Sequence, residues 1–168
     1  MSFEAASAWL TDRGFADSIR RFSGSIATVE LAAREIGVIP ARIAKTMAID
    51  GPGGPLLIVA AGDMKLDGRK FKRIFHATPH FISRDLVEFL IGHAPGGVCP
   101  FGKKPGVPVY PDESLTAYET VWPACGDEAS GVELAPAELE KAVGECAWID
   151  VTKPAAPVPP SDAARAPF

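Results

Sequence analysis

The sequence has little of what a metalloprotein, a secreted scaffold or a membrane protein needs. It has three cysteines, Cys99, Cys125 and Cys146, an odd number at wide spacing with no CxxC pair. That pattern supports neither a zinc site nor a disulfide framework, and it reads as a reduced, cytoplasmic protein. The three histidines, His76, His80 and His93, are too dispersed to form a metal signature. No apolar run approaches the roughly 20 residues of a membrane span. The N-terminal stretch carries Glu4 and Asp12 and lacks the apolar centre of a signal peptide. Positive charge is not in excess: 17 Lys and Arg face 21 Asp and Glu, for a net charge of −4. A generally basic nucleic-acid coat is thereby excluded, but a local basic patch is not.

What is present is a globular balance, 47% hydrophobic and 23% charged over 168 residues. This is the length of one ordinary domain, able to bury roughly 70% of the surface its unfolded chain exposes. From residue 154 to 168 the composition changes, and ten of the fifteen residues are Pro or Ala. Proline cannot continue a helix or serve a central strand, so a folded domain over 1–153 and a mobile, partly polyproline tail over 154–168 are expected.

Helix signals fall on 2–13, capped by Ser2; 28–35, opened by Thr28 and closed by Gly37; 68–75, capped by Asp67; 84–91, capped by Ser83; and 137–143, behind Pro136. In the fourth helix Leu86, Phe89 and Leu90 are expected to face inward. Strand signals fall on 17–22, 41–49, 56–61, 107–110, 120–124, 131–134 and 146–151. The GPGGP turn at 51–55 implies a hairpin. Helices and strands intermingle without strict alternation, which predicts a mixed α/β domain on a curved sheet.

Lys45 is the most informative position. Strand alternation puts it on one face with Ile43, Met47 and Ile49. A lysine there either snorkels out at a sheet edge or lines a cavity, where desolvation lowers its pKa unless an anion opposes it. The second feature is GHAPGGVCPFG at 92–102. Gly96 and Gly97 can present two unobstructed backbone N–H groups to a carbonyl oxygen or a phosphate. The segment lacks the ending of a Walker loop, and the alternative is a tight turn against a buried wall. Cys99 reads either as a small buried hydrophobe or as a nucleophile, and His93 as a helix C-cap or an acid–base group. Asp112 and Glu113 read as helix caps before an acid–base pair. Lys65, Arg69, Lys70, Lys72 and Arg73 form a basic cluster, either a solvated face or, with Arg42, Lys103 and Lys104, a phosphate-contacting surface.

Six segments in order, 28–38, 43–47, 57–67, 92–102, 107–115 and 125–139, resemble the YbaK/EbsC family, also called the prolyl-tRNA-synthetase-associated domain. The resemblance implies a mixed sheet, partly closed and barrel-like, wrapped by helices, and a hydrolase that removes the wrong amino acid from tRNA. The family's lysine falls on Lys45. Its Gly-Gly-Val-x-Pro loop falls on Gly96, Gly97, Val98, Cys99 and Pro100, its acidic position on Asp112, and its late turn on Gly126, Asp127 and Ser130. Thr28 and His93, within matched segments, join the substrate-binding candidates. No metal or cofactor belongs to the family's chemistry. Many relatives carry Ser or Thr at Cys99 and Gly-Ser where Gly126–Asp127 stands.

The expected activity is hydrolysis of the ester of tRNA mischarged with Ala, Ser, Thr or Cys. Lys45, Gly96 and Gly97 are the catalytic candidates, and the basic cluster would lie on the tRNA backbone. The expected partner is the 3′ CCA end of mischarged tRNA, with an aminoacyl-tRNA synthetase as a further one. Monomer and weak homodimer both remain open. The rival classes are a non-catalytic tRNA- or nucleotide-binding module and a thiol hydrolase using Cys99.

Overall fold

The computed structural model describes residues 2–155. Its centre is a hairpin of two eight-residue strands, β2 (Ala44–Gly51) and β3 (Gly54–Ala61), in register from Ala44 opposite Ala61 to Gly51 opposite Gly54. Alternation sends Ala44, Ala48, Leu57, Val59 and Ala61 into one apolar cluster and Met47, Ile49, Ile58 and Ala60 into another, on the two faces of the sheet. A short antiparallel strand, β5 (His80–Phe81), extends the sheet beyond β2, and β6 (Val109–Pro111) runs parallel to β3 on the other side. Two small pairs complete the fold: β1 (Ile19–Arg21) with β7 (Ser130–Val132), and β4 (Met64–Leu66) with β8 (Thr152–Pro154). This is the mixed α/β architecture expected, but the sheet does not close into a barrel.

Local signals account for most of the helices. Helix α2 (Val29–Ile36) is capped by Thr28, whose hydroxyl accepts the Leu31 N–H at 3.1 Å, and it ends at Gly37 in the left-handed region. Asp67 caps α3 (Gly68–Phe75) by accepting from the Arg69 and Lys70 N–H groups. Phe71 and Phe75, one turn apart, stack at 4.4 Å, and Phe75 meets Tyr110 edge-on at 5.1 Å. Burying Phe71 completely contributes about 1.5–3 kcal/mol. Helix α1 (Ser2–Asp12) begins at Ser2, whose hydroxyl contacts the Gly92 carbonyl and the Ala94 N–H, tying the helix start to the loop after α4 (Arg84–Ile91). Helix α5 (Pro136–Val143) starts at its proline, with the Glu138 side chain accepting from the Ala135 N–H.

Several expectations are corrected. In α4 the buried residues are Val87 and Ile91, while Leu86 and Phe89 are 52% and 70% exposed. The stretch holds two apolar stripes, and packing against the sheet selects the 87/91 stripe. Segment 120–124 makes only isolated bridges, Val121 with Leu134, Trp122 with Ile43 and Ala124 with Gly131, and Pro123 has no N–H to donate. Segment 146–151 makes one bridge, Ile149 with Asp112, and the strand begins only after it, as β8. Residues 16–18 and 40–42 are 3-10 turns rather than strand. The tail expected over 154–168 lies outside the described residues from 156 onward.

Candidate functional site

A cleft of about 410 Å³ opens beside β2, and its lining includes Lys45, Thr46, Lys65, Arg84, Gly96 and Val98. It exists because β5 is only two residues long. Ile49 and Asp50 pair with Phe81 and His80, and the Ala48 carbonyl accepts the Ile82 N–H at 3.0 Å. The chain then turns into α4 at Arg84, so β2 has no neighbouring strand beside Thr46 on that edge. The Thr46 hydroxyl is buried at this opening and has no hydrogen-bond partner among the described residues.

Lys45 sits opposite Ala60, at the end of the apolar face formed by Met47 and Ile49. Its ammonium donates to the Gly62 carbonyl at 3.4 Å and to the Met64 carbonyl. An ammonium has three N–H donors, so two carbonyls leave one free for a ligand. Burial lowers the lysine pKa, while nearby Asp63 and Glu30 oppose that shift. Gly62 must be glycine, because a Cβ there would lie 2.2 Å from the Pro40 carbonyl oxygen. The turn that holds Lys45 is thus wedged against the segment following α2.

The 92–102 segment divides into two parts. Ala94–Gly97 form a turn closed by the Gly97 N–H donating to the Ala94 carbonyl at 3.0 Å. Gly96 has φ +89° behind Pro95, the signature of a type II turn. The two glycines therefore differ. The Gly96 N–H has no partner among the described residues, and Gly96 lines the cleft. The Gly97 N–H is occupied, which corrects the expectation of two free donors. Gly97 serves close packing, since a Cβ there would lie 2.5 Å from the Gly126 carbonyl oxygen. Val98 lines the cleft, and its N–H is likewise without a partner among the described residues.

Beyond Val98 the chain enters the core. Cys99 is completely buried, with its thiol 3.5 Å from both the Phe101 carbonyl and His93 Nε2. Burial drives that thiol far above the ordinary range, and Cys125 to about 12. His93 is also buried and lies 2.7 Å from the Phe101 carbonyl, and desolvation lowers its pKa. Neither group reaches the cleft, and a fully protonated thiol is no nucleophile. Pro100 is buried beside them.

Asp112 is 1% exposed, and internal donors occupy both its oxygens: Oδ1 takes the Val151 N–H at 2.8 Å, and Oδ2 takes the Ser114 N–H and the Thr152 hydroxyl. It fastens the C-terminal segment to β6 and does not touch the cleft. Gly126 admits the start of α1, where a Cβ would lie 2.3 Å from the Ser2 carbonyl oxygen. Asp127 accepts from the Ala129 N–H and pairs with Arg21 at 3.4 Å. Ser130 is buried in β7. Thr28 is the α2 cap already described.

Of the basic cluster, Lys65, Arg69, Lys72 and Arg73 are exposed on β4 and α3. Lys70 is not available: its ammonium holds Asp150 at 2.9 Å and the Thr152 carbonyl at 2.7 Å, which raises its pKa. Arg42 is held by Thr120 and Glu133, and Lys104 lies over the Phe89 ring. The sequence reading missed Arg84, Thr46 and Phe81 at the cleft. Ser83, expected as the cap of α4, stands at the N-cap position but its side chain makes no capping hydrogen bond; it was the one signal for the corner. Among the described residues no group of three or more His, Cys, Asp or Glu side chains is gathered as for a metal, and no helix is long and apolar enough to cross a membrane.

The cleft thus combines a desolvated ammonium, unpaired backbone donors and a cationic rim. Such a site can hold an anion and polarise a carbonyl oxygen. Residues 23–142 match the model of the aminoacyl-tRNA editing domain, and the chain belongs to that family. It is 42% identical over 154 residues to the uncharacterized protein YwhH of Bacillus subtilis (strain 168), covering 91% of this chain and 98% of that one. A solved structure described as a candidate trans-editing enzyme for prolyl tRNA synthetase superposes with a TM-score of 0.82 at 29% identity, over 90% of this chain and 97% of that one. The hypothetical protein APE2540 superposes with a TM-score of 0.80 at 26% identity, over 89% and 99%.

Proposed function

We propose that this protein is a trans-acting deacylase that hydrolyses the ester of tRNA charged with a small wrong amino acid. The observation that carries the reading is the sharing of one cleft by the Lys45 ammonium and the Gly96 backbone. Family membership and the trans-editing relative support it.

In this mechanism the aminoacyl ester enters with its carbonyl oxygen toward the Gly96 and Val98 N–H groups. The free N–H of Lys45 takes either that oxygen or the terminal phosphate. Water adds to the carbonyl carbon, and the oxygen becomes an oxyanion held by these donors. Collapse breaks the bond to the ribose oxygen, which leaves with the proton taken from water. The amino acid departs as its carboxylate, its remaining proton passing to solvent. The vicinal ribose hydroxyl relays the proton, so no side-chain general base is needed. Each well-placed oxyanion donor is worth about 2.7–4 kcal/mol. Ala48 and Gly96 on the lining carry little bulk, which fits a small side chain such as that of Ala, Ser, Thr or Cys. A methylene changes binding by only about 1–3 kcal/mol, so selectivity among these is modest.

The test is a deacylation panel: several tRNAs charged with each of the four amino acids, mixed with the purified protein. Release of at least one above the rate without protein is the expected result. Tight tRNA binding with no release of any amino acid would replace this reading by the binding module.

A further inference from the structure

Phe81 is placed against the ordinary logic of packing. It is 63% exposed, yet its strand neighbour Ile49 is completely buried. Its ring lies on the lining of the cleft together with the exposed side chains of Lys65 and Arg84. Pairing with Ile49 and the following bond from the Ile82 N–H to the Ala48 carbonyl fix the backbone that carries the ring. Phe89, the other strongly exposed phenylalanine of this corner, carries the Lys104 ammonium over one face, 4.6 Å from its centroid. Among the described residues no aromatic ring or cation stacks on Phe81.

An open aromatic face that shares a cleft lining with two cations suits the recognition of single-stranded nucleic acid. The ring takes a base without regard to its edge pattern, and the cations take the phosphates. We propose that Phe81 is a stacking platform for the base of the terminal nucleotide of an unpaired 3′ end, with Lys65 and Arg84 contacting the flanking phosphates. The identity of that strand as the 3′ end of tRNA rests on the deacylase reading. The role is one of positioning: the stacked base sets where the ester falls relative to Gly96 and Lys45.

The experiment is single-turnover deacylation over a range of enzyme concentrations, on mischarged tRNA and on the same tRNA lacking its terminal base. Phe81→Ala is expected to raise the half-saturating concentration roughly 5- to 150-fold, with the maximal rate little changed. Wild type should lose a similar factor on the abasic substrate, and Phe81→Ala should be indifferent to the missing base. Phe81→Trp should restore binding, and its added indole emission should be quenched by the trinucleotide CCA. Unaltered half-saturation in Phe81→Ala, with hydrolysis intact, overturns the platform and leaves the deacylase reading standing. If wild type hydrolyses no ester, the fluorescence measurement decides separately: quenching by CCA retains the platform, and its absence removes it.

Discussion

Lys45 and Asp112 are both charged residues set in or beside the central sheet, and they meet opposite fates. Asp112 has three donors on two oxygens, all supplied by its own chain, and is sealed from solvent. Lys45 has two carbonyl acceptors for three donors and faces a cleft. The 92–102 segment repeats the contrast: Gly96 and Val98 face the opening, while Cys99 and His93 pair with each other and with the Phe101 carbonyl inside the core. A polar group whose hydrogen bonds are complete within the fold holds the fold together. One left with a donor at an opening is available for chemistry.

Substitutions can break this contrast. Lys45→Met keeps most of the apolar stem and removes the ammonium, so deacylation should fall by about 10²–10³-fold or more while circular dichroism stays native. Turnover equal to wild type would remove Lys45 from the mechanism. Asp112→Ala should do the reverse. It leaves the Val151 N–H and the Thr152 hydroxyl buried without a partner, so denaturant unfolding should show a loss of roughly 3 kcal/mol, with the folded protein keeping its rate.

The two glycines sharpen the same contrast on a smaller scale. Gly97→Ala forces a Cβ against the Gly126 carbonyl and should cost about 1–3 kcal/mol of stability. Gly96→Ala meets nothing closer than 3.6 Å, and its strain comes from φ +89° alone. It should cost about 1 kcal/mol and lower the deacylation rate by crowding the donor. Equal stability losses with equal rates in both variants would erase the distinction between them.

The pH dependence follows from the lowered pKa of Lys45. Its proton leaves the folded protein at a pH below the ordinary lysine value of 10.5. Wild-type deacylation should therefore decline on the alkaline side with a midpoint below 10.5, and the residual activity of Lys45→Met should lack that decline. Between the lowered pKa and 10.5 the unfolded chain holds a proton that the folded chain does not. Stability contributed by this group thus rises with pH across that window. The smallest effect expected is from thiol alkylation. With the Cys99 and Cys125 thiols buried and protonated, iodoacetamide at neutral pH should leave deacylation unchanged over the time in which a free thiol reacts fully.

Much of this molecule was legible along the chain because its causes are local. Thr28, Asp67 and Gly37 mark helix ends through bonds or dihedrals within four residues, and the helices they bound appear where expected. The hairpin between β2 and β3 follows from two apolar runs and a glycine turn. Alternation alone placed Lys45 on the face of Met47 and Ile49. The misreadings arose where two local patterns competed. The apolar residues of α4 offered two stripes, and only the sheet packed against it chose Val87 and Ile91 over Leu86 and Phe89.

The sequence by itself determined the strand that carries Lys45, the glycine pair of the bend at 96–97, and the family through the order of its motifs. Only the tertiary structure decided which polar groups are exposed for chemistry, because hydrogen-bond partners such as the Val151 N–H for Asp112 come from far along the chain. It also decided that a sheet edge stays open beside Thr46, since that depends on where the chain after β5 turns away.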